Sequence, residues 1–192
     1  MKLICRAVVE RSRYVKYLQA HLPSLQVIWD AEHKGSYASM RMALDAAGSE
    51  SVVLIEDDIL LVRDFEARVQ SQIAMRPSEV IQFFSMRKAD LQQGSRYDRD
   101  FIAALCFYLP PGHAQAASVW ADTVYDPTRT SNSSDLFIKA WLKSRRERYW
   151  ICCPNLVQHR IGKSFIDPRR SSRRLSLTCP EADLIRDTAV DS

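Results

Sequence analysis

Residues 52–60 read Val52-Val53-Leu54-Ile55-Glu56-Asp57-Asp58-Ile59-Leu60: four apolar residues, three of them β-branched, and then three carboxylates side by side. An unbroken β-branched run suits a strand covered on both faces, as in a parallel sheet. Three adjacent negative charges repel, and they are costly unless they stay hydrated or meet a cation. In open α/β sheets, ligands bind outside the carboxyl ends of the strands, which is where this triplet falls.

The flanking sequence supports that setting. Apolar runs predict strands at 3–10, 25–29, 51–55, 80–84, 101–109 and 149–153. Helical spacing predicts helices at 12–22, 36–47, 64–75, 112–121 and 135–143, with Gly48 and Pro77 as stops. Asp64 is placed to cap the third helix. The polar stretches 88–100 and 126–134 read as loops. Strand and helix alternate through the first half, which predicts an α/β layered domain with a mostly parallel central sheet flanked by helices. The expected domain is 1–165; residues 166–192 read as an Arg-rich, mobile tail.

The composition is that of a globular chain: 192 residues, 46% hydrophobic and 26% charged. No apolar run reaches the length of a membrane span, and the start lacks the apolar core and small-residue cleavage site of a signal peptide. A cytoplasmic protein is expected. The five cysteines form no C-x-x-C pair. Cys5, Cys106, Cys152 and Cys153 sit in apolar runs, as buried free thiols of a reducing compartment would. The net charge of +4 is unevenly spread. From Lys139 to Arg174 there are eleven Lys or Arg against two acids, a net of +9 that leaves −5 elsewhere. The basic third points to a polyanionic partner.

Along an extended chain side chains alternate, which would put Glu56 and Asp58 on one side and Asp57 on the other. Two carboxylates at a strand end form a hard-oxygen cradle for Mg²⁺ or Mn²⁺, which fill their remaining positions with water and substrate phosphate. A hydrated acidic turn is the plainer reading of the same residues.

Together with its strand, the triplet resembles the short acidic motif of the GT-A fold, the Rossmann-like fold of nucleotide-sugar-dependent glycosyltransferases. A later segment adds to the resemblance: S-S-D-L-F-I-K-A-W-L-K (133–143), then Y-W-I-C-C-P-N-L-V-Q-H-R-I-G-K-S (149–164). It is similar to small bacterial and phage members of that superfamily. The resemblance implies a GT-A domain, a metal ion and a nucleotide-sugar donor, with UDP as the default carrier. By the same resemblance Asp58 and His159 would be metal ligands, and Glu56 or Asp57 would contact ribose or a metal-bound water. Lys163 and Ser164 would hold the diphosphate. Trp29 and Asp30 would meet the nucleobase and ribose, and Arg6, Glu10, Arg11 and Arg41 lie where they can approach the nucleotide. Asp135 would be the base that takes the acceptor's hydroxyl proton. The plainer alternatives are a cap for Asp135 and a turn for Lys163 and Ser164. For Trp29 and His159 the alternative is core packing, and for Arg41 a solvated surface.

Two acceptors are compatible with this reading. One is a hydroxymethylated pyrimidine in DNA, as for phage enzymes acting in the host cytoplasm, gripped through phosphates by Arg145, Arg146, Arg169 and Arg170. The other is a cell-envelope glycan. A nucleotide- or nucleic-acid-binding module without turnover is the non-enzyme reading. Nucleotidyl transfer fits less well, because no Gly-rich phosphate loop precedes the acids.

Overall fold

The computed structural model describes residues 1–161 and 174–187. Lys163, Ser164, Arg169 and Arg170 lie outside the described residues.

In chain order the first half contains β1 (Lys2–Ala7), α1 (Ser12–His21), β2 (Gln26–Trp29), α2 (Ser36–Ala47), β3 (Val52–Glu56), β4 (Ile59–Leu61) and α3 (Phe65–Met75). The second half contains β5 (Ile81–Gln82), α4 (Asp90–Gln93), β6 (Arg96–Asp98), β7 (Cys106–Leu109), α5 (His113–Thr123), α6 (Ser134–Ser144), β8 (Tyr149–Ile151) and β9 (Val157–His159). The main sheet has the order β2-β1-β3-β7-β5-β8-β6. Five of its strands point one way, while β7 and β6 run against them.

The unbroken apolar run of β3 is explained by two cores, one on each face of the sheet. Val53 and Ile55 face α1 and α3 and share a cluster with Val15, Leu18, Phe65 and Val69. Val52 and Leu54 belong to a second cluster with Met40 and Leu44 of α2 and Phe137 and Trp141 of α6. Alternation along one strand therefore feeds both cores. Burying each such side chain contributes about 1.5–3 kcal/mol.

Several expectations are corrected by the fold. The strand expected over 101–109 is formed only at Cys106–Leu109. Ala103 sits in the left-handed region (φ 65°), which breaks the pleat. The amide of buried Gln82 takes up the freed carbonyls of Ile102 and Ala103. The stretch expected as a loop over 88–100 contains α4 and β6, tied by the Arg96–Asp90 ion pair at 2.6 Å. Asp64 precedes α3 but makes no side-chain cap, because its own backbone is left-handed (φ 57°).

A second, two-stranded sheet joins β4 to β9 in antiparallel register, with Ile59 opposite His159. Residues 174–187, in the stretch expected to be a mobile tail, fasten this ribbon. Leu184 bridges to Val62, and the Ile185 amide donates to the Leu61 carbonyl at 2.9 Å. The Tyr17 hydroxyl accepts from the Leu61 amide and donates to the Ile185 carbonyl, each at 3.0 Å. All five cysteines are free, and all but Cys153 are buried. Among the described residues no helix is long and apolar enough to cross a membrane.

Candidate active site

The carboxyl ends of β1 and β3, the loop after β2 and the amino-terminal ends of α2 and α6 surround a cleft of about 490 Å³. This is within the size range of small-molecule sites. The acidic triplet forms its floor, and Asp30, Asp135 and Arg174 also line it.

The triplet meets guanidinium groups. Glu56 ends β3 and accepts from Arg6 on β1 at 2.5 Å. Arg11, in the 3-10 turn after β1, contacts Asp57 at 2.8 Å and Asp58 at 2.7 Å through one nitrogen. Asp57 also accepts from the Val8 amide at 3.0 Å. The alternation expected for the triplet does not hold, because the chain leaves the strand and turns at Asp57 and Asp58, bringing both to Arg11.

Environment pushes these carboxyls apart. Burial raises the Glu56 carboxyl to about 7 against the opposing charge of Arg6, with Asp58 and Asp135 adding to the rise. Burial also raises Asp58, but His159, Arg11 and Arg174 outweigh it and hold the group down at about 2. Burial raises Asp57 in spite of Arg11. Asp58 is thus the member of the triplet most firmly kept as an anion.

His159 reaches the same corner because the triplet runs directly into β4. The Arg160 amide donates to the Asp58 carbonyl at 2.8 Å, and His159 Nε2 lies 3.4 Å from Asp58 Oδ2. Arg174 Nη2 lies 3.0 Å from the same imidazole nitrogen. Asp58 Oδ1 is buried without a hydrogen-bond partner. Among the described residues no group of three or more His, Cys, Asp or Glu is arranged around a common metal position. Asp58 and His159 offer two donors of the kind a divalent ion takes: Asp58 Oδ1 is without a partner, whereas His159 Nε2 would have to exchange Arg174 for the ion.

Asp135 stands in the first turn of α6, and its Oδ1 accepts from the Ala104 amide at 2.7 Å. It makes no capping bond to its own helix. The amino-terminal ends of α6 and α2 are tied by Ser134 and Ser36, whose hydroxyls are 2.6 Å apart. Gly35 precedes α2 with φ 97°, and a Cβ there would lie 2.9 Å from Asn132 Nδ2. The two oxygens of Asp30 each accept from a backbone amide, Lys34 at 2.8 Å and Gly35 at 2.9 Å, so this acid also shapes the cleft wall.

Other expected residues lie elsewhere. Trp29 is 41% exposed at the end of β2 and does not line the cleft. Arg41 pairs with Asp122 of α5 at 2.8 Å, outside the cleft. Arg145 pairs with Glu147 at 2.7 Å. It and Arg146 follow the far end of α6, about 15 Å along the helix axis from Asp135. Ala104, Gly35 and the two tied serines were not foreseen from the sequence. Only Gly35-Ser36, a glycine at a helix start, carried any signal.

No protein-family model matches the chain, and no curated protein sequence does. Among solved structures, A197 from STIV superposes with a TM-score of 0.52 at 12% identity, over 98% of this chain and 100% of that one. A UDP-glucose pyrophosphorylase in complex with UDP-glucose gives 0.47 at 9% identity, over 79% of this chain and 90% of that one. A putative glucose-1-phosphate thymidylyltransferase from Bacillus anthracis gives 0.46 at 11% identity, over 83% and 89%. The likeness to A197 is one of fold: a mixed α/β layered domain.

Proposed function

We propose that this protein is a glycosyltransferase of the GT-A fold, moving a sugar from a nucleotide-sugar donor to a hydroxyl acceptor. One observation carries the reading. A cleft at the strand ends is lined by a carboxylate kept ionised, Asp58, with the buried imidazole of His159 behind it at 3.4 Å, and by a separate carboxylate, Asp135, at the start of a helix. Asp58 and His159 would hold Mn²⁺ or Mg²⁺. Bound there, the ion would supply charge neutralisation for the diphosphate leaving group. Glu56 and Asp57 face the donor side, fixed by Arg6 and Arg11. Asp135 takes the acceptor's proton through the carboxylate oxygen that Ala104 does not hold.

The acceptor favoured is a hydroxymethylated pyrimidine in DNA. Arg174, the last residue of the basic run, lines the cleft beside His159 and brings positive charge to it. A cell-envelope glycan is the alternative. Thermal melting with a panel of nucleotide sugars, with and without Mn²⁺, tests the donor, since a ligand of the native state raises Tm. Mass spectrometry of hydroxymethylated oligonucleotides then tests the acceptor. DNA affinity must fall steeply with salt if phosphates are gripped. Asp135→Asn should lower kcat by about 10²–10⁴-fold with donor binding intact. No Tm shift with any sugar nucleotide would overturn the reading.

A further inference from the structure

Arg6 was expected to approach the nucleotide. The structure gives its side chain other partners. It is 4% exposed, and its guanidinium donates to three separate walls of the cleft. Nη2 meets Glu56 Oε1 at the end of β3 and the Ala104 carbonyl at 3.1 Å; Nη1 meets the Ser36 carbonyl at the start of α2 at 3.3 Å. The residue whose carbonyl it holds is the one whose amide holds Asp135 Oδ1 at 2.7 Å.

The segment carrying Ala104 has no strand partners of its own at residues 101–105, so side chains and single amides fix it. Gln82 holds the carbonyls of Ile102 and Ala103, Arg6 holds that of Ala104, and the Glu56 amide donates to that of Leu105 at 2.8 Å. Ala103 keeps a left-handed backbone between the two carbonyls that Gln82 holds, one residue ahead of the carbonyl that Arg6 holds. Such a conformation persists only where its surroundings over-determine it. The aim of the Ala104 amide therefore depends on Arg6 from one side and Gln82 from the other.

We infer that Arg6 is a positioning residue for Asp135, acting through the two polar groups of Ala104. This rests on the glycosyltransferase reading for its consequence in turnover, but not for its structural content. Lysine in place of Arg6 keeps the charge and one contact, but its single ammonium cannot reach three walls as a planar fork does. Displacing a catalytic group by about 1 Å costs on the order of 10²-fold in rate.

The test compares wild type, Arg6→Lys and Asp135→Asn by two readouts. The first is hydrogen exchange of the Ala104 amide at fixed pH. In wild type the bond to Asp135 should protect this amide, and Asp135→Asn should weaken that protection. In Arg6→Lys exchange should quicken by about tenfold or more. The second is steady-state turnover of the donor. Arg6→Lys should lose about 10²-fold in kcat, with a smaller rise in KM for the donor because Arg6 also fixes Glu56. If Arg6→Lys leaves the Ala104 amide protected as in wild type, the inference falls, whatever the activity. A parallel loss of kcat, donor binding and Tm would reduce Arg6 to a structural residue and also overturn it. If wild type turns over no donor, the glycosyltransferase reading fails, and the amide exchange alone decides the role of Arg6.

Discussion

The Asp58 carboxylate and the His159 imidazole stand 3.4 Å apart because β4 and β9 place Ile59 directly opposite His159. Two short strands thus join a strand end to a side chain from the last third of the chain. If the pair holds Mn²⁺, Asp58→Asn should abolish saturable binding, and His159→Phe should weaken it by about 10–100-fold, as losses of even supporting groups do at metal sites. Electron paramagnetic resonance of free against bound Mn²⁺ measures this without any substrate. Equal binding by wild type and both variants would remove the ion from this corner.

Gly35 has two separate reasons to be glycine, and they can be taken apart. An alanine there meets Asn132 Nδ2 at 2.9 Å and must also adopt φ 97°. Gly35→Ala should cost about 1–3 kcal/mol, read as a fall in the urea midpoint. Adding Asn132→Ala removes the clash and leaves the backbone strain, so the double variant should recover only part of the loss. Full recovery would show that the backbone at this position is not under strain.

The His113–Glu147 pair sets a pH response. Burial alone raises the Glu147 carboxyl, but the hydrogen bond from His113 and the charge of Arg145 outweigh it and hold it below its ordinary value of 4.5. A depressed carboxylate stabilises the fold above its unfolded pKa, and that contribution is lost as pH falls through the folded one. Glu147→Gln should therefore cost up to about 1 kcal/mol at pH 7 and nearly nothing at pH 3. Chemical denaturation at both values checks the sign.

Arg41 offers a negative prediction. Its partner Asp122 is 66% exposed in its side chain, which limits the pair to about 0–1 kcal/mol, while the Arg41 side chain itself is 18% exposed. Arg41→Ala should lower Tm slightly, through its packed stem, and leave donor binding the same as in wild type. A clear loss of donor affinity would mean that Arg41 swings into the cleft on binding.

Much of this architecture was legible in the sequence. The β-branched run before Glu56 announced a strand covered on both faces, and the spacing of Tyr37, Met40 and Leu44 announced α2 with its stop at Gly48. The second sheet was not legible. Three-residue strands leave no periodicity, and Ile59-Leu60-Leu61 reads as a continuation of the acidic turn. Phe101 to Leu105 misled because an apolar run says nothing of a left-handed residue at Ala103, which Gln82 stabilises from a distant strand. The cations that meet the triplet were equally hidden. Arg6, Arg11 and Arg174 are ordinary members of a chain rich in arginine, and only the fold selects them. The resemblance of the P-N-L-V-Q-H segment to a known motif is what drew attention to His159, since one histidine among four carries no signal of its own.

The Tyr17 hydroxyl, bonded at once to the Leu61 amide and the Ile185 carbonyl, joins three distant parts of the chain through one atom. Arg6 and Arg11, which meet the acidic triplet, come from the start of the sequence, whereas the imidazole beside Asp58 comes from near its other end. The corner between Asp58 and His159 is therefore a property of the whole fold and of no single stretch of chain.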